Sequence, residues 1–139
     1  MADAVLVVTT GLTLITTALV DLAAIAPKHV QWGIGVTPPA AGDVDLETKT
    51  DCNEARVSDL AEVATTTLTD DTFRCHALIT KAAAPAAITE VGTFNAADAG
   101  APPDGDTMFL RATFDAINLV VGNSIDFTID VKFVPVAGP

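Results

Sequence analysis

The sequence predicts a mainly β protein, an antiparallel β-sandwich or barrel with one N-terminal α-helix, and three observations carry that prediction. Across residues 125–133 every odd-numbered residue is apolar (Ile125, Phe127, Ile129, Val131, Phe133) and every even-numbered residue between them is polar (Asp126, Thr128, Asp130, Lys132). Successive strand side chains point to opposite faces, so this stretch is a half-buried strand with a core face and a water face. A helix would scatter the same apolar set around its axis. Upstream, further short alternating runs recur between turn residues, the pattern of a sandwich or barrel. Only residues 12–26 carry a helical stripe. At 139 residues and without an internal repeat, the chain reads as one domain, large enough for a core without staples.

Residues 1–27 form the N-terminal strand and helix. Residues 4–8 read as a short strand. Leu12, Ile15, Leu19, Leu22 and Ala26 then recur at three- and four-residue spacing, with Thr9 or Thr10 as N-cap and Pro27 as the stop. Many β-branched residues make this helix intrinsically weak, so packing must hold it. The stretch 4–26 is apolar, but Lys28 is the first basic residue, and Asp21 and five threonines interrupt it. Neither a secretory signal nor a membrane span is expected there.

Residues 29–36 alternate again, with Val30, Trp32, Ile34 and Val36 on one face and His29, Gln31, Gly33 and Gly35 on the other. Two glycines on one face leave bare backbone, which permits close approach by another segment or a local bend. Residues 37–42 are a loop, 44–53 polar and extended or irregular, and 56–69 a strand with an untidy, Thr-rich end. Asp70-Asp71 turns the chain into a strand over 72–80 with Phe73, Cys75, Ala77 and Ile79 inward. Residues 81–87 connect to a short strand at 88–94, and a loop rich in Ala, Asp, Gly and Pro fills 95–106.

A strand over 107–115 places Met108, Leu110, Ala112 and Phe114 on one side, and 117–121 continues it. Gly122-Asn123 then turns the chain into 125–133, expected to pair with 107–115 or its continuation and to close the sandwich. Replacing Phe127 with Ala is expected to cost about 3–5 kcal/mol if that side chain is buried. Pro135 ends regular pairing and leaves 135–139 as a C-terminal arm.

The formal net charge is -11 and the pI about 4.2, with 18 Asp plus Glu against seven Lys plus Arg. A phosphate backbone needs clustered Lys and Arg, and there is no such cluster, so nucleic acid is not an expected partner. The acidity fits a particle exposed to solvent or a salt-rich environment. Half the chain is apolar and its mean hydropathy is +0.44, which points to surface covered by other subunits. Cys52 and Cys75 are expected to be free, partly buried thiols.

A search for chemistry returns little. The two His residues lie in no catalytic motif, and there is no Gly-x-Ser-x-Gly element or phosphate loop. Cys75 and His76 are neighbours in a strand, so they face opposite ways and cannot both grip one ion. A zinc site with His29 and Cys52 lacks Cys-x-x-Cys spacing. Asp98, Asp104 and Asp106 share one loop but not the ligand order of an EF-hand. Glu90 stands in the middle of an apolar strand, where a paired carboxylate at the sheet edge accounts for it. No catalytic, cofactor-binding or metal-ligating residue is expected, and the chain is not expected to be an enzyme.

Several pieces in order resemble small virion proteins of tailed bacteriophages. They are the Thr10-Gly-Leu-Thr-Leu-Ile-Thr-Thr-Ala-Leu19 helix, Lys28-His-Val-Gln-Trp-Gly-Ile-Gly35, and an acidic segment with Arg56. Then come Ala87-Ile-Thr-Glu-Val-Gly-Thr-Phe94, Thr107-Met-Phe-Leu-Arg-Ala-Thr-Phe114 and Gly122-Asn-Ser-Ile-Asp-Phe-Thr-Ile-Asp-Val-Lys-Phe133. The resemblance spans most of the chain. It implies a non-enzymatic structural protein, a capsid decoration or cement protein on the outer surface of a phage head. A tail or baseplate fibre adaptor is the alternative, and a carbohydrate-binding β-sandwich module the alternative of another class. The implied partners are the major capsid protein or other virion subunits and further copies of this chain, as a trimer, with no nucleic acid, membrane or cofactor. The N-terminal segment and C-terminal arm are the candidate contacts, which singles out Leu12, Ile15, Leu19, Val134 and Val136. Trp32 is either a further interface anchor or ordinary core packing.

Overall fold

A computed structural model of the chain describes residues 9–21, 26–49, 52, 54–97 and 108–135. Among them are one helix and six strands: α1 (Thr9–Asp21), β1 (His29–Gly33), β2 (Leu60–Ala64), β3 (Thr72–Thr80), β4 (Ala86–Phe94), β5 (Met108–Leu119) and β6 (Ser124–Lys132). The strands form two three-stranded antiparallel sheets, ordered β1-β4-β5 and β2-β3-β6, which face each other across one core. The fold class is the one expected. The expected strand over residues 4–8 and the tail at 136–139 lie outside the described residues.

Alternation places the core. Val30 and Trp32 of β1, Phe73, Cys75, Ala77 and Ile79 of β3, and Ile88 and Val91 of β4 are buried together. Ile88 and Val91 are three apart and both reach the core, on either side of an irregularity at which β5 takes four steps, from Thr113 to Ile117, against two on β4. From β6 come Ile125, Phe127, Ile129 and Val131, directly opposite the inner residues of β3. Trp32 meets Phe127 edge-on with ring centroids 6.4 Å apart.

The two sides of the sandwich are closed differently. On the β1/β2 side an isolated bridge joins the sheets, with Val30 and Val57 exchanging hydrogen bonds of 2.8 and 3.0 Å. There α1 packs on β2 and β3 through Leu19 and Val20, and the buried Thr16 hydroxyl donates to the Asp70 carbonyl (2.8 Å). On the other side β5 belongs to one sheet and β6 to the other, and no strand among the described residues lies between them. The core-facing residues of β6 and Phe114 of β5 are only half-buried.

That arrangement corrects the expected pairing of residues 125–133 with 107–115. The turn at Val121-Gly122 forms, with Gly122 at φ 93°, but it joins strands of different sheets. The Lys81 amide donates to the Asn123 carbonyl and the Gly122 amide to the Lys81 carbonyl, both at 2.8 Å. The end of β3 thus occupies the position a hairpin partner would take, and β6 runs along β3 while β5 runs along β4. Smaller corrections follow the same logic. The helix begins at Thr9, so Thr9 and Thr10 lie within it rather than capping it, and Ala26 is not helical; residues 22–25 lie outside the described residues. β2 is shorter than residues 56–69, because residues 65–70 wrap the Asp71 carboxylate. β1 ends at Gly33, because the Ile34 amide turns to the Thr48 carbonyl (2.9 Å), and Val36 stands 73% exposed.

Candidate functional site

Three carboxylates, two buried (Glu90 and Asp71) and one half-buried (Glu54), organise the polar interior of the described residues. Glu90 is fully buried on β4, the central strand of its sheet, which corrects the expectation of a sheet edge and bears out that of a paired carboxylate. Its Oε1 accepts from the amides of Gly35 (3.0 Å) and Thr48 (2.9 Å), and its Oε2 from the Glu47 amide (3.1 Å) and Arg111 Nε (2.8 Å). Arg111, reaching from β5, also donates to Asp43 Oδ2 (2.9 Å) and the Thr37 carbonyl (3.0 Å). The glycines at 33 and 35 make this possible: a Cβ on Gly33 would stand 2.5 Å from Glu90 Oε1 and 2.7 Å from the Thr48 carbonyl. Bare backbone on that face admits residues 46–48 against the sheet, the close approach the sequence allowed for.

Charge follows geometry. The Ala40 amide and then Arg111 hold the Asp43 carboxyl below its ordinary value, and the Thr37 amide and hydroxyl do the same for Glu47. Burial works against the Arg111 charge, but Glu90 and Asp43 outweigh it and raise its pKa. Each Glu90 oxygen already accepts two hydrogen bonds. A general acid or base needs an oxygen free to exchange a proton with substrate, so this constellation fastens the 37–48 loop over the sheet.

The second carboxylate is Glu54. The wholly buried Lys81 ammonium donates to its Oε1 at 2.7 Å, with the Ala82 and Ala83 amides at 2.9 and 3.2 Å, and Trp32 Nε1 donates to Oε2 at 3.0 Å. Burial raises the Glu54 pKa, but these donors outweigh it and bring it down to about 2. The third is Asp71, also wholly buried, which accepts from the amides of Thr66, Thr67 and Leu68 and the hydroxyls of Thr66 and Thr72. Burial again opposes its charge, and the donors, led by the Leu68 and Thr66 amides, hold it well below the carboxylate range. Each of the three binds loop amides, Glu90 from the middle of β4 and Asp71 from just before β3. Sequence alone points only to Glu90, through its place in an apolar run.

Among the described residues no group of three or more His, Cys, Asp or Glu could hold a metal ion. His76 pairs with Asp126 (2.7 Å) on the water face of β3 and β6, away from Cys75 on the core face. Cys52 and Cys75 are buried thiols that share no disulfide, as expected; burial pushes the Cys75 thiol up to about 12. Asp98, Asp104 and Asp106 lie outside the described residues.

The remaining candidate is surface. Of the interface residues taken from the sequence, Ile15 is 40% and Val134 62% exposed, while Leu19 packs partly into the core. The Leu12 side chain and Val136 lie outside the described residues. Trp32 is 0% exposed, hydrogen-bonded and ringed by core residues, so it is core packing and offers no anchor to a neighbour. The sequence reading missed Phe109, Ile117, Val120 and Val121, all 41–55% exposed on or just beyond β5. For Ile117, Val120 and Val121 the signal is the break in alternation at 117–121, where apolar residues fall on both faces. A groove of about 680 Å³ runs between Ile34 and Val36 on one wall and the Ala-Pro-rich segment 83–87 on the other. Among the described residues no helix is long and apolar enough to cross a membrane.

Comparison of the chain with protein-family models, with curated proteins and with solved structures finds no match.

Proposed function

We propose that this chain is a non-enzymatic structural subunit of a virion, a decoration or cement protein on the outer surface of a phage head. The observation that carries the reading is the open side of the sandwich. There, among the described residues, β5 and β6 each pair along one edge only and present half-buried apolar residues beside exposed Phe109, Ile117, Val120 and Val121. Unpaired strand edges with apolar margins are a liability for a lone soluble domain and an asset for a subunit. The water face of the β2-β3-β6 sheet supports the same placement. Arg74 is bound to Asp130 by two hydrogen bonds (2.7 and 2.8 Å), and His76 to Asp126. Those polar side chains pair with one another, beside Leu60 and Leu78, which are 47% and 50% exposed on the same face.

The commitment of Glu54, Asp71 and Glu90 to loop amides argues against a part for them in acid–base catalysis. The chain's only Trp is buried and it has no Tyr, so it lacks the exposed Trp and Tyr platforms a carbohydrate-binding module would use. The partners on this reading are the major capsid protein and further copies of the chain. Antibody labelling of virions under the electron microscope tests it. Regular labelling of the head supports the proposal, labelling of tail or baseplate replaces it with the adaptor role, and unlabelled virions overturn it.

A further inference from the structure

We propose that the chain pairs with a second copy of itself along the free edge of β6, antiparallel and two-fold symmetric about Ile129. β6 pairs with β3 at nine successive positions without a register shift. The Phe133 amide donates to the Asp71 carbonyl and the Asn123 carbonyl accepts from the Lys81 amide, so the odd-numbered residues direct their backbone groups at β3. The N–H and C=O groups of Asp126, Thr128, Asp130 and Lys132 point the other way, where no described strand lies. The remaining edges among the described strands are blunted: β1 and β2 are five residues long, and β5 departs twice from regular pairing. β6 has no Pro, no bulge and no charge on its core face, which are the devices that keep an edge from pairing.

The strand's own sequence identifies the occupant, because β6 is complementary to itself in one register. Core face must meet core face, which puts the two-fold axis on a residue of β6. Centred on Thr128 the pairing sets Asp126 against Asp130, and centred on Asp130 it sets that carboxylate against its own copy. Centred on Phe127 it runs Lys132 into the Gly122 turn. Centred on Ile129 it sets Asp126 against Lys132 of the second copy, Thr128 against Asp130, Ile125 against Phe133 and Phe127 against Val131. Opposite charges then face each other twice and like charges nowhere, the arrangement that favours cross-strand pairing. Both side chains can reach: that of Asp126 is 59% exposed beside His76, and that of Lys132 36% exposed beside Thr67 and Asp71. The five apolar residues of 125–133 are half-buried, whereas Phe73, Cys75, Ala77 and Ile79 behind them on β3 are wholly buried. The same five residues of a second copy cover what one copy leaves open, in an isologous contact that closes at two chains. The inference rests on the reading of the open side as a subunit interface and names what meets it there.

Sedimentation velocity on the full chain tests the contact by exchanging its charges. Wild type should dimerise. Asp126→Lys sets lysine against Lys132, and Lys132→Glu sets glutamate against Asp126, each twice by symmetry, so either variant alone should self-associate about tenfold more weakly. Mixed in equal amounts, the two should form a heterodimer tighter than either homodimer, because positions 126 and 132 are again opposite in sign at both places. Lys132 also lies near buried Asp71, so a second measurement leaves it intact. Thr128→Cys and Asp130→Cys chains, about 5.5 Å apart between Cα atoms in this register, should cross-link to each other on oxidation and neither to itself. Native Cys52 and Cys75 are buried and do not compete. A monomeric wild type overturns the proposal, and slow exchange of the Asp126, Thr128 and Asp130 amides in that monomer would assign the edge to the chain's own residues. A mixture no tighter than its parts, together with absent cross-linking, also overturns it. Unlabelled virions with a dimer in solution would refute the phage role alone, and labelled heads with a monomeric chain would refute the β6 contact alone.

Discussion

Replacing Glu90 by Gln tests whether one buried carboxylate holds the 37–48 loop. The substitution keeps volume, but a Gln side chain has one acceptor oxygen, and its amide nitrogen would face two of the four groups that now donate to Glu90. Leaving buried donors unpaired costs about 1–3 kcal/mol each, and breaking a buried ion pair costs about 3–5 kcal/mol. Arg111 keeps Asp43 at 2.9 Å, so the lower end applies, about 3 kcal/mol. At about 2.1 cal/mol/K of unfolding entropy per residue, that loss lowers Tm by about 10 °C. Trp32, the only Trp and fully buried, reports the melt by fluorescence. Amide hydrogen exchange should show Gly35, Glu47 and Thr48 losing protection ahead of the β3 amides. A loss below about 1 kcal/mol, with those three amides still protected, would refute the reasoning.

Four further outcomes are expected. Phe127→Ala should cost about 2 kcal/mol in urea denaturation, less than a fully buried Phe, because the ring is half-buried. Gly35→Ala should destabilise by about 1–3 kcal/mol, since its Cβ would stand 2.5 Å from Glu47 Cβ and 2.6 Å from Glu90 Oε1; a neutral result would mean the loop lifts freely. The Glu54 carboxyl is lowered on folding from 4.5 to about 2, so its contribution is present above pH 4.5 and lost as pH falls through about 2. In acid titration Glu54→Gln should flatten that limb of the stability curve. With its thiol at about 12 and buried, Cys75 should resist alkylation at about pH 8 until urea unfolds the chain, as mass spectrometry of the modified peptide would record.

Local pattern and long-range pairing are legible to different degrees. β3 has the bounds its alternation implies, Thr72–Thr80, and the inward set of β6 is the apolar set read from residues 125–133. Both readings need only the two-residue period of a strand, which each segment carries within itself. The partner of β6 needs information from elsewhere. A Gly-Asn turn serves equally for a hairpin or for a change of sheet, and what decides is the Lys81 backbone, far earlier in the chain. The same holds for the polar interior. Glu90 is visible as a charge in an apolar run, yet Arg111 and Asp43, which complete its network, lie 68 residues apart in the chain. Trp32 stays open between core and interface in the sequence because its indole N–H needs a partner in either place, and only the fold brings Glu54 to it.

The order in which the strands enter the two sheets has a consequence for how the chain acquires its structure. Read along the sequence, the strands belong to the first sheet, the second, the second, the first, the first and the second. Each sheet therefore waits for a strand from late in the chain: β1 pairs with β4, His29 opposite Phe94, and β3 pairs with β6, Thr72 opposite Lys132. Neither sheet can finish before most of the polypeptide is present, and the entropy of loop closure is lost before these distant contacts return it. Folding should run in milliseconds to seconds, the range of non-local β topologies. On the ribosome the core should close only once β6 has emerged, and loss of that last strand should leave no half-folded sandwich but an open chain.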